Sequence, residues 1–156
     1  MADGLDPEEL AALLAEAATI PQPVDHRYRI EVGSVEDCLL VIVSGMVLQP
    51  IPTEFSNRLE SIIARGAGQR VIIDLSLCDY ISSAVIGTLV SFFGATTKVG
   101  GQMIMVRPPA KVEMVLRAVA LDQFFLIVDS LQMAVDFFKS QHLSGKHAPI
   151  NDQTRG

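Results

Sequence analysis

Apolar residues fall along this chain in two rhythms. Leu10, Leu13, Leu14 and Ala17 recur at helical spacing behind Asp6-Pro7-Glu8-Glu9, where aspartate suits an N-cap, proline the first helical position and acids the first turn. A short amphipathic helix is predicted there, and Ile20-Pro21-Gln22-Pro23 ends it as a linker, because each proline lacks a donor and turns its predecessor away from helix. Residues 28–35 and 38–44 then read as strands, the second apolar throughout from Leu39 to Val43 and so buried on both faces. After a loop over 45–52, Thr53 is placed to cap a helix carrying Phe55, Leu59, Ile62 and Ile63, which Gly66-Ala67-Gly68 stops.

The same alternation continues. Residues 71–75 form a buried strand, Ile86, Leu89, Val90 and Phe93 mark one face of a helix over 83–97, and Gly100-Gly101 terminates it. A strand over 103–106 follows. Pro109 opens a helix with Val112, Val115, Leu116 and Val119 inward, residues 124–128 make a last strand, and Ser130 caps a helix carrying Leu131, Ala134, Val135 and Phe138. Apolar strands alternating with helices imply an α/β fold: one largely parallel or mixed sheet covered by helices. The divisions are an N-terminal helix and linker over 1–26, a main domain over 27–141 and a flexible polar tail over 142–156.

Composition narrows the function more than the fold. With 49% hydrophobic residues in 156 there is ample core for one domain, and 12 basic against 18 acidic residues leave a net charge of −6 with no basic stripe. Nucleic acid is an unsuitable partner. The acidic N-terminus lacks the pattern of a secretory signal, and the uncharged stretch over 80–97 holds too many serines, threonines and glycines for a membrane span, so a cytoplasmic protein is expected. Cys38 and Cys78 read as buried thiols in a reducing compartment.

Chemistry-bearing constellations are sparse. Gly66-Ala67-Gly68 lacks the remaining glycines and the preceding strand of a nucleotide loop, while His26, His142 and His147 show no metal-ligand spacing. Asp74, Asp79 and Asp122 stand where strands or helices are expected to end, a usual place for aspartate in turns. Ser82-Ser83 has neither the Gly-x-Ser-x-Gly elbow nor a neighbouring histidine. No enzyme activity and no cofactor are expected.

Those two serines carry the functional reading. One is placed to cap the helix that follows; the alternative is a phosphorylation site, since the positive end of a helix favours a dianion. The helix over 83–97 has no charged residue, and Val85 and Phe92 lie off its Ile86-Leu89-Val90-Phe93 stripe. A second side of it therefore needs cover from a partner, another copy or the N-terminal helix.

From about residue 28 to 141 the element order resembles the STAS domain, the family named for sulphate transporters and anti-sigma factor antagonists. The most specific likeness is Val71-Ile72-Ile73-Asp74-Leu75-Ser76 followed by Asp79-Tyr80-Ile81-Ser82-Ser83-Ala84, the apolar helix, Gly100-Gly101, a short strand and a helix ending in Ala120-Leu121-Asp122. The resemblance implies a four- or five-stranded mixed sheet with helices mainly on one side. It also implies a non-enzymatic regulator bound by an anti-sigma factor that is a serine kinase, reset by a phosphatase, and phosphorylated on Ser83, with Ser82 as second choice. Ser82, Val85, Thr88, Phe92 and Leu48 become the expected partner-binding residues. Three positions depart from the family motif: Val85 stands in place of a glycine, Leu48 in place of an acid, and Ser82 in place of an aspartate. Leu48 and Val85 favour the alternative of a scaffold subunit, self-associating or held in a stress-signalling complex or lipid transporter. The N-terminal helix is expected to be an interaction element.

Overall fold

The computed structural model describes residues 5–144 apart from 119, 121, 122 and 124. The apolar run of the second strand lies inside the sheet because it has a neighbour on either side. Strands β1 (Tyr28–Val35), β2 (Cys38–Val47), β3 (Arg70–Ile81), β4 (Gln102–Val106) and β5 (Leu126–Val128) stand in the order β1-β2-β3-β4-β5. β1 and β2 form an antiparallel hairpin, and every later neighbour pairs in parallel. The parallel pairs need crossovers, and helices α2 (Thr53–Ala64), α3 (Ser83–Lys98) and α4 (Ala110–Ala118) supply them.

Alternate residues of each strand feed two cores. Leu39, Val41 and Val43 of β2 join Val71, Ile73 and Leu75 of β3 under residues of α2, α3, α4 and the N-terminal helix α1 (Pro7–Thr19). On the opposite face Cys38, Leu40, Ile72 and Ile104 meet Ala134, Val135 and Phe138 of α5 (Leu131–Ser144). This is the expected single α/β domain, with a five-stranded mixed sheet and most helices on one side.

α1 folds back onto the domain. Asp6 and Glu9 close a reciprocal capping box, Leu14, Ala17 and Ile20 are buried, and Glu16 pairs with Arg65 just beyond α2 at 2.6 Å.

Several boundaries differ from the sequence expectation, each for a local reason. β2 runs on to Val47, past Gly45, whose φ of 87° and closeness to the Arg27 carbonyl leave no room for a side chain; that carbonyl accepts from Met46 N at 2.9 Å. β3 does not stop at Leu75 but reaches Ile81. Its pairing with β2 slips between Ile42 and Ser44 and again between Gly45 and Met46, so β3 accommodates extra residues as bulges. The Asp74 carboxylate accepts from Ser76 N at 2.9 Å and Ser76 Oγ at 2.7 Å. Its turn chemistry thus holds a bulge within a strand rather than ending one.

Thr53 is the first helical residue of α2, and Pro52 takes the cap position without a side-chain acceptor. Val115, expected inward, is exposed on α4, whose buried residues are Val112 and Leu116. Ser130 does cap α5, accepting from Met133 N at 3.1 Å, and α5 continues to Ser144. The expectations for Val119, Asp122, Phe124, His147 and the remainder of the tail fall outside the described residues.

Candidate functional site at the start of helix α3

Backbone geometry divides the two serines between different tasks. Ser82 is the N-cap, with φ −79° and ψ 169°, its hydroxyl accepting from Val85 N at 3.4 Å and its carbonyl from Val85 N and Ile86 N at 3.0 and 3.1 Å. Its own N–H donates to the Val47 carbonyl at 3.0 Å, which ties the start of α3 to the end of β2. Ser83 follows as the first helical residue and is exposed. The cap and the accessible hydroxyl are therefore different residues.

α3 is turned about its axis relative to the sequence expectation. Val85, Ile86, Leu89, Phe92, Ala95 and Thr96 are buried, whereas Val90 and Phe93 lie at the margin, Phe93 edge-to-face with Phe125 at 4.9 Å. Val85 and Phe92 are each only 1% exposed, so neither presents its side chain to a partner in this conformation. The cause is double coverage: α3 lies on the sheet and packs along α2, which supplies the second cover that a helix uncharged from Ser83 to Thr97 requires. Ser91 Oγ donates to Glu60 Oε1 at 3.0 Å across that helix pair.

Before its last turn, where Thr97 and Lys98 are exposed, what α3 leaves to solvent is a narrow face of small residues: Ser83, Ala84, Gly87 and Ser91, with Thr88 half-buried and its hydroxyl donating to the Ala84 carbonyl at 3.3 Å. A methyl group at Gly87 would meet no atom within 4 Å. Large apolar side chains are also exposed toward the ends of β2 and β3. Leu48 follows directly on Val47; Met46 pairs with Tyr80, and Ser44 with Leu77. Leu77 is 67% exposed, Met46 and Leu48 each 42% and Tyr80 36%.

Of the expected site residues, Ser82, Ser83 and Thr88 lie at the cap and in the first turns of α3, Leu48 stands one residue beyond the Val47 carbonyl that Ser82 N bonds, and Val85 and Phe92 are withdrawn into the core. Met46, Leu77 and Tyr80 are exposed on β2 and β3 without having been anticipated. Their signal in the sequence was obscured, because the two bulges break the period-two alternation by which an exposed strand position is read.

Charge along the β3–α3 stretch has one sign, whereas Arg27 and His26 line a pocket with Met46 and Leu48. From Val71 to Thr97 the only charged residues are Asp74 and Asp79, and the first turn of α3 contains no acid to oppose its dipole. An anion on Ser83 would lie at the positive end of α3 with free N–H groups nearby, yet with no cation along the same stretch of chain. The nearby Cys78 thiol is no nucleophile, as burial pushes it up to about 11. Among the described residues no group of three or more histidines, cysteines, aspartates or glutamates is placed to hold a metal, and no helix is long and apolar enough to cross a membrane.

The STAS domain model matches residues 29–134, more than half of the chain. The protein belongs to the STAS domain family. Solved STAS folds align over most of it. The Bacillus cell fate determinant SpoIIAA in its phosphorylated form is 13% identical, covering 70% of this chain and 98% of its own at a TM-score of 0.55. An anti-sigma factor antagonist from Mycobacterium paratuberculosis is 22% identical, covering 72% and 95% at 0.54. A candidate anti-sigma factor antagonist from Thermotoga maritima is 24% identical, covering 69% and 92% at 0.54. Identities this low establish a shared fold. The STAS match spans β1 to the first turn of α5, so α1 and the linker stand outside it.

Proposed function

We propose that this STAS protein is a non-enzymatic signalling regulator of the anti-sigma factor antagonist kind. It binds a protein partner over the exposed face of α3 and the adjoining ends of β2 and β3, and phosphorylation of Ser83 weakens that binding. The observation carrying this reading is the placement of an exposed serine hydroxyl at the first position of α3, with its neighbour Ser82 bonded to Val47 directly before the exposed Leu48. A partner covering the exposed apolar side chains would bury apolar area worth about 25 cal/mol per Å² before the costs of association.

A phosphate on Ser83 adds about −1.5 to −2 charges at that rim. It costs the fold little, because the helix end accepts it, but it must be desolvated when the partner seats. The same group is tolerated by the free domain and rejected by the complex, which is what a switch requires. The partner class that fits is an anti-sigma factor with serine kinase activity, opposed by a phosphatase, in the cytoplasm. A phosphorylated solved relative, SpoIIAA, supports the chemistry by analogy of fold.

A scaffold role within a larger assembly is the second reading. It is favoured by Leu48, which enlarges the apolar surface where many family members carry an acid.

Affinity purification from the source cells separates the two. The parent chain should retain an anti-sigma or kinase-class protein, and Ser83→Glu should reduce its recovery at least about tenfold, roughly 1.4 kcal/mol. Equal recovery by both chains would remove the switch and leave the scaffold.

A further inference from the structure

β1 is an edge strand of eight residues with no proline and no lysine to discourage pairing, yet the chain covers its outer side with its own linker. The outward groups of β1 that the linker reaches belong to Tyr28, Ile30 and Val32. Tyr28 exchanges backbone hydrogen bonds with Asp25 at 3.2 and 2.9 Å, and Ile30 N donates to the Pro23 carbonyl at 3.0 Å. At Val32 the Gln22 side chain imitates a strand: Oε1 accepts from Val32 N at 2.9 Å while Nε2 donates to the Val32 carbonyl at 3.1 Å. Val24 bridges Arg29 between these bonds.

As a strand this strap is incomplete. Pro23 has no N–H with which to answer the Ile30 carbonyl, and a side-chain amide stands where backbone would continue.

The sequence of β1 is complementary to itself about Ile30. In an antiparallel pair of β1 edges with a two-fold axis at that residue, Ile30 of each copy would exchange both backbone bonds, and Tyr28 of one would face Val32 of the other. These are the groups the strap now occupies. The same register sets Arg29 of each copy opposite Glu31 of the other, twice, on the exposed face where the two side chains at present lie 3.4 Å apart within one strand.

We propose that the outer edge of β1 is a docking edge for a second copy of this chain, and that the segment from Gln22 to Asp25 is a strap that masks it. The docking edge is made of backbone groups of β1 and does not depend on the function given to α3. When the strap lifts, two sheets join into one continuous sheet through β1.

The full chain carrying Gln22→Ala tests this. Loss of both bonds to Val32, together with the Gln22 Nε2 bond to the Ala18 carbonyl at 3.0 Å, should speed amide exchange at Val32 about tenfold or more, and sedimentation across a concentration series should show dimer formation at lower concentration than for the parent. Adding Glu31→Arg sets two positive charges against each other at both places across the axis and should abolish the dimer. Adding Arg29→Glu as well exchanges the charges and should restore it. Unchanged exchange at Val32 would overturn the role of Gln22. Faster exchange with no association, or association indifferent to Glu31→Arg, would overturn the docking edge.

Discussion

If Ser82 is the cap and Ser83 the free hydroxyl, the two serines must respond oppositely to mutation, although they are neighbours of the same type. Ser82→Ala removes the acceptor for Val85 N, and because that bond is long, at 3.4 Å, the loss belongs at the lower end of the cap range, about 0.5–1 kcal/mol. Ser83→Ala removes an exposed hydroxyl at the first helical position and should change stability by less than about 0.5 kcal/mol. Ser83→Asp sets a charge in a first turn that now holds no acid, which should stabilise by about 0.3–1 kcal/mol at low ionic strength.

In a domain of this size 1 kcal/mol corresponds to roughly 2–4 °C in Tm. The order of melting by calorimetry at neutral pH is then Ser83→Asp, parent with Ser83→Ala, and Ser82→Ala last. About 0.5 M salt should erase most of the aspartate gain and leave the loss from Ser82→Ala in place. Equal losses from the two alanine variants would refute the division of roles. Destabilisation by Ser83→Asp would refute the claim that the fold tolerates an anion there.

Thr96 is fully buried with no hydrogen-bond partner for its hydroxyl, so Thr96→Val should raise the urea midpoint by the equivalent of about 1 kcal/mol; a loss would mean the hydroxyl is satisfied. Phe92→Ala should cost about 3–5 kcal/mol of unfolding free energy, the value for a core aromatic rather than a surface one. The β1–β2 turn holds Glu36 at φ 49° and Asp37 at φ 69°, so Glu36→Asn with Asp37→Gly should stabilise by about 1–2 kcal/mol in the same assay. Burial pushes the Cys38 and Cys78 thiols from 9.0 up to about 11, so the folded chain favours the neutral form. Their contribution is complete below about pH 9 and is lost as pH rises toward 11, and a Cys38→Ala, Cys78→Ala chain should show a shallower alkaline fall in Tm.

How far the sequence could be read depended on whether local chemistry and tertiary packing pointed the same way. At α1 they agreed: Asp6, Pro7 and Glu9 announce the cap, and Leu14 and Ala17 find the core. The apolar runs of β2 and β3 likewise announced strands covered on both faces. At Asp74 they diverged, since aspartate beside serine signals a turn and only pairing with β2 turns that signal into a bulge. The same bulges concealed Leu77 and Tyr80. On α3 the apolar residues surround most of the helix, so periodicity alone chose the wrong centre for its buried face, and the position of α2 settled it. The strap was half legible: its prolines predicted a linker, but nothing local announces that the Gln22 amide will complete a strand ten residues away.

The measurement that tests the central claim most directly is site-resolved phosphopeptide mass spectrometry on the protein isolated from its own cells in growth and under stress, with Ser83→Ala as control. The account predicts phosphate on Ser83, none on Ser82, and loss of the signal in the variant. Phosphate confined to Ser82, or none on either serine in any condition, would contradict it.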